Sequence, residues 1–139
     1  MHFAEYEESQ ILKIEYAEEK EDYFTALVLS LTHIERLGYS IIKKHLESKE
    51  VEPELIKKIL NRIGIMKISG ILITMGTFTK TEYKQINAIR IARNAFVHQK
   101  DDEPPEGVLI SENKYTKLIS NAKKILRKIG KSTFRLFPK

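Results

Sequence analysis

The chain of 139 residues contains no cysteine and no tryptophan. Without thiolates it can form neither a disulfide nor a cysteine-ligated zinc site. Proline occurs only at Pro53, Pro104, Pro105 and Pro138, which leaves long stretches free of helix-breaking residues. No run approaches the roughly 18 apolar residues that cross a bilayer. The longest, Ile63–Met75, is short and holds Lys67. Met1–Asp22 is acidic, whereas a secretory leader is basic and then apolar. A cytoplasmic protein without membrane contact is expected. A glycine-rich phosphate loop is absent, and the four histidines have no metal-ligand spacing. Neither a cofactor nor a metal is expected.

What is present is helical patterning and divided charge. Met1–Asp22 carries eight acids against two lysines, while Ser111–Lys139 carries nine Lys or Arg against Glu112 alone. The whole chain nets +5. A basic C-terminal end on an acidic body suits phosphate. It suits equally a solvated helix face that touches the acidic N-terminal stretch of its own or a neighbouring chain. Lys and Glu dominate, Ile is abundant and Gln scarce, a balance resembling that of hyperthermophile proteins.

No internal repeat or long linker divides the chain, so residues 1–139 read as one domain. Apolar residues recur at helical spacing, with no alternation of period two. Phe3–Ala17 forms a first helix. Glu21 or Asp22 opens a second, running to about Leu46, whose apolar stretch Ala26-Leu27-Val28-Leu29 marks a central helix packed on several sides. Pro53 starts a short helix to about Arg62, with Gly64 as its stop. Ile65–Met75 is a buried helix ended by Gly76. Thr79 and Glu82 have capping-box spacing and start a helix to about Val97 or His98. Gln99–Gly107, with its Pro-Pro pair, is a loop. Ser111 caps a last helix that ends at about Ile129, before Gly130. Five or six helices on short connections predict an all-α antiparallel bundle.

One helix lines up chemistry. Advancing about 100° per residue from Arg90 places Asn94 at about +40°, His98 at about +80°, Asn87 at about +60°, Tyr83 at about +20° and Arg93 at about −60°. Ala88, Ile89, Ile91, Ala92, Ala95 and Phe96 fall on the other side and are assigned to the core. Ile86 and Val97 lie within the polar sector, which implies that the sector is partly covered. Polar groups on a covered surface need partners, and a facing subunit or a phosphate would supply them. A structural role accounts for the same residues in another way. A last-turn histidine suits the helix dipole, Arg93 can pair with a glutamate, and Asn94 can satisfy a loop. His33, on the second helix with Glu35 and Arg36, reads as structural.

Arg93-Asn94-Ala95-Phe96-Val97-His98 resembles the signature of the HEPN family (higher eukaryotes and prokaryotes nucleotide-binding domains). In that signature an arginine and a polar residue precede a histidine by a few positions, near the end of a late helix in a bundle of similar length. The resemblance implies a metal-independent endoribonuclease acting as a homodimer. It also implies a toxin role, with an antitoxin protein such as a minimal nucleotidyltransferase as partner, although many members bind without cutting. Arg93 and His98 would then be the catalytic pair and Asn94 the adjacent polar helper. RNA would be met by Arg90 and Lys100 beside the motif and by Lys123, Lys124, Arg127 and Lys128 of the basic end. Where one subgroup carries a tyrosine that accepts a silencing nucleotide, two residues after the histidine, this chain has Lys100.

Overall fold

The computed structural model describes residues 3–99 and 112–136, with side chains described over 8–97 and 113–131. Six helices carry them: α1 (Phe3–Glu19), α2 (Tyr23–Ser48), α3 (Pro53–Leu60), α4 (Ile65–Thr74), α5 (Lys80–Gln99) and α6 (Glu112–Leu136). No strand occurs among the described residues. The expected all-α bundle is the fold observed. Gln99 closes α5, whereas the rest of the expected loop, to Gly107, and the cap at Ser111 lie outside the described residues.

Local chemistry sets three of the helix starts. The Asp22 carboxylate accepts from the Thr25 N–H at 3.2 Å and caps α2. Pro53 occupies the first turn of α3, where its missing N–H costs nothing. At α5 the capping box is reciprocal. The Thr79 N–H donates to Glu82 Oε1 at 2.8 Å, and the Glu82 N–H donates to Thr79 Oγ1 at 3.2 Å.

Three helices end in the same turn. Past α4, the Thr77 N–H reaches the Leu72 carbonyl and the Gly76 N–H the Ile73 carbonyl, with Gly76 at φ 79°. The pattern recurs past α1 at Glu21 (φ 58°) and past α2 at Glu50 (φ 60°). These are Schellman turns, two of them built on a residue other than glycine. Gly64 is not the stop of α3. The chain turns at Arg62 (φ 59°), and Gly64 instead caps the start of α4 at φ −90°. Nor does Gly130 end α6, which continues through it to Leu136. Gly130 is buried, so packing offsets the roughly 1 kcal/mol that a mid-helix glycine costs relative to alanine.

The second helix is central, meeting every other helix, while α6 also touches α1 and α5, and α5 also touches α4. Its face of Ala26, Leu27, Leu31, Ile34, Leu37, Ile41 and Ile42 lies in one continuous core with Ile11, Ile14, Ile68, Leu72, Ile119 and Ile125. The Tyr23–Tyr115 stack joins the starts of α2 and α6, which therefore run the same way. Contacts of Phe96 with Phe24 and Tyr115, and of Lys128 with Glu82, make α5 antiparallel to both. Gly38 lets α4 approach closely: a Cβ there would stand 2.6 Å from Ile68 Cγ2 and 3.1 Å from Leu72 Cδ1.

Candidate functional site

The motif lies on the last two turns of α5, which stays helical through Gln99 without a break. Its buried stripe is Ile86, Ile89 and Ala92, all within 1% of full burial, extended by the partly buried Ala88 and Phe96. That stripe differs from the expected one. Ile86, assigned to the polar sector, is fully buried, and Ile91, assigned to the core, is 54% exposed. Apolar residues nearly encircle this helix, so spacing alone could not fix which arc faces α2, α4 and α6.

Four aromatic rings fix the end of α5. Phe96 packs on Phe24 (centroids 5.8 Å apart) and on Tyr115 (5.1 Å), and Tyr115 stacks on Tyr23 (5.2 Å, planes 12° apart). Burial holds the Tyr115 phenol above its ordinary pKa. Ring pairs of this kind contribute about 0.5–1.5 kcal/mol beyond their buried area. Sequence reading missed this clamp. Its only signal was aromatic residues at two helix starts and one helix end.

On the flank of the buried stripe the polar side chains pair with each other. Arg90 donates from Nε and Nη2 to Asn87 Oδ1 at 3.2 and 2.8 Å. Arg93 donates from Nε and Nη2 to Asn94 Oδ1 at 3.3 and 3.2 Å. All four are half-buried. Their partners are neutral amides, and neither arginine meets a carboxylate among the described residues. The glutamate partner considered for Arg93 is not found there. Among the described residues, each guanidinium is thus oriented by an amide oxygen and leaves donors of its planar fork that can meet an anion. The His98 backbone belongs to α5, but its side chain lies outside the described residues, as does Lys100. Ile91 and Val97, 54% and 48% exposed, flank Asn94 on the outer face.

The basic end behaves differently. Lys123 lies 3.7 Å from Glu15 and 3.5 Å from Glu18, and Arg127 lies 4.0 Å from Glu15. Lys128 donates to Glu82 Oε1 at 2.6 Å, which ties α6 to the capping box of α5. Three of the four α6 cations proposed to hold RNA are thus neutralised within the chain. Of the two readings of the basic end, contact with the acidic N-terminal stretch is realised at Lys123 and Arg127. Lys124 is exposed and meets no acid among the described residues.

His33 is buried at 4% exposure. Burial, then the charges of Arg36 and Lys13, depress its pKa from 6.5 to about 4, so at neutral pH it is an uncharged core group. Among the described residues no three His, Asp or Glu gather as a metal-holding group, and no helix is long and apolar enough to cross a membrane. No protein family matches the chain, and no curated protein or solved structure does either.

Proposed function

We propose that this protein is a metal-independent endoribonuclease that works as a homodimer, with Arg93, Asn94 and His98 as its site and Arg90 and Lys124 among its RNA contacts. The observation that carries the reading is Arg93, half-buried and held by the amide of Asn94, with no carboxylate on it among the described residues. A guanidinium fixed in orientation but not neutralised is suited to charge accumulating on a phosphorane-like transition state. His98, about one and a half turns on, supplies an imidazole, a side chain suited to moving a proton at the ribose 2′-OH or the leaving oxygen.

The continuity of α5 supports a shared site. Arg93 and His98 are separated by about 140° around an ideal helix and about 7.5 Å along it. On an unbroken helix, side chains at that spacing leave the axis in different directions. A two-fold pairing of α5 brings Arg93 of one copy toward His98 of the other and covers Ile91 and Val97. The same resemblance makes a toxin paired with an antitoxin, such as a minimal nucleotidyltransferase, the biological setting. The alternative, a bundle that binds RNA or a partner without cutting, relied on the basic C-terminal helix, and three cations of that helix are already paired with acids.

The proposed chemistry uses the 2′-OH as nucleophile, which gives a direct test. RNA carrying a single 2′-deoxy sugar at the cleaved position should resist cutting there, and the unmodified strand should yield 2′,3′-cyclic phosphate ends. Cleavage of the deoxy-substituted position at an unchanged rate would rule the mechanism out.

A further inference from the structure

Among the described residues, cations that no carboxylate answers gather at a second place, between α2 and α3, remote from the motif. A cleft of about 570 Å³ is lined there by Tyr39, Glu54, Lys57, Lys58, Asn61 and Arg62. A neighbouring cleft of about 430 Å³ shares Tyr39 and Lys57 and adds Lys43 and Glu47. Lys43, Lys57, Lys58 and Arg62 form no ion pair among the described residues, although Glu47 and Glu54 stand on the same walls. On α6 the opposite holds, with acids from α1 and α5 on three of the cations. Tyr39 is 37% exposed and borders both clefts, so part of its ring is open to a ligand.

We infer that the α2–α3 cleft binds a nucleoside phosphate, with the base stacked on Tyr39 and the phosphate held by Lys57, Lys58 and Arg62. The larger cleft combines a flat aromatic surface, three cations against one acid, and the Asn61 amide, which can meet a base edge or a sugar hydroxyl. Sequence-tolerant recognition of single strands uses the same combination, a stacking ring beside a cationic track. Tyr39 lies fifteen residues beyond Phe24 on α2, about 22 Å along the helix, so the site is distinct from the end of α5. It stands whether or not Arg93 and His98 cut RNA. The nucleoside phosphate is either free or one unit of a strand, since both present the same chemistry.

The position of Arg62 makes the test clean. Its φ of 59° is strained for any residue but glycine, so Arg62→Gly removes the cation while relaxing the turn, and the fold is kept. Binding of a labelled ten-nucleotide single-stranded RNA is measured by anisotropy, in EDTA and with His98→Ala protein so that no cleavage intervenes. Adenosine monophosphate is titrated in parallel by NMR. Tyr39→Ala should weaken strand binding about tenfold, and Tyr39→Phe should retain it. Arg62→Gly should weaken it and reduce the salt slope by about 0.7. Substitution of Lys123 and Arg127 on α6 should not weaken it. Shifts on Tyr39 with the monophosphate would identify a free nucleotide as sufficient, while binding of the strand alone would identify a strand site; either result supports the cleft. Unchanged affinity in both Tyr39→Ala and Arg62→Gly, or binding of neither probe by the starting protein, would overturn it.

Discussion

Arg93 and Lys123 carry the same charge and differ in what holds it. Lys123 faces two glutamates, whereas Arg93, among the described residues, meets only the neutral amide of Asn94. An Arg93→Lys variant keeps the charge but loses the planar fork that holds the amide and, in the proposed site, would also reach a phosphate oxygen. It should therefore lose most of its activity without unfolding, which a cleavage assay alongside circular dichroism would show. His33 gives a residue-scale prediction about stability. Unfolded, it takes up a proton near pH 6.5; folded, only near about 4. The unfolded state binds more protons in between, so stability is intact above pH 6.5 and falls as pH drops through that interval, by up to about 3 kcal/mol. Melting curves from pH 7 to 4.5 should show this loss, and His33→Leu should show a shallower pH dependence. Equal slopes would remove His33 as the cause. At Gly38 the close approach of Ile68 means that alanine, though the better helix former, should cost about 1–3 kcal/mol through overpacking.

Among the elements, the three short turns on left-handed Glu21, Glu50 and Gly76 fold successive helices back on each other. Glycine suits this conformation better than glutamate does. Glu50→Gly should therefore raise stability by about 0.5–1 kcal/mol, and a lower melting temperature would show that the side chain contributes more than the strain it causes. Helix starts at Asp22, Pro53 and Thr79 and the stop at Gly76 were legible in the sequence because each depends on residues within one turn. The register of α5 was not. Ile86, Ile89, Ile91, Phe96 and Val97 leave no clear polar arc, and its neighbours in the bundle decide that Ile86 is buried and Ile91 exposed. Arg93 and Asn94 could be singled out in the sequence, but their mutual bonding could not. The partners of α6 were hidden for the same reason as the register of α5. Glu15 and Glu18 lie at the far end of the chain, and only the packing of α1 on α6 brings them to Lys123 and Arg127. Nothing in local spacing marked the α2–α3 cleft, because its cations look like any exposed lysines until their lack of acid partners can be compared with α6.

Across the whole molecule, an acidic first helix packs on a basic last one, so part of the charge asymmetry of the chain is satisfied internally. Partly exposed pairs of this kind contribute about 0–1 kcal/mol each. Glu15→Gln with Glu18→Gln should hence change stability little. It should also free Lys123 and Arg127, strengthening polyanion binding and steepening its salt dependence; an unchanged slope would mean that this face never meets phosphate. Assembly is expected through α5. Sedimentation should show a dimer, and a strictly monomeric protein that still cleaves RNA would exclude a shared site. Assignment of catalysis to Arg93 and His98 is tested most directly by incubating purified protein with single-stranded RNA in EDTA, comparing wild type with Arg93→Ala and His98→Ala, each shown to be folded. The expected result is cleavage by wild type that EDTA does not suppress, with loss of about 10²–10⁴-fold in each variant. Cleavage at the wild-type rate by both variants, or its disappearance on adding EDTA, would contradict it.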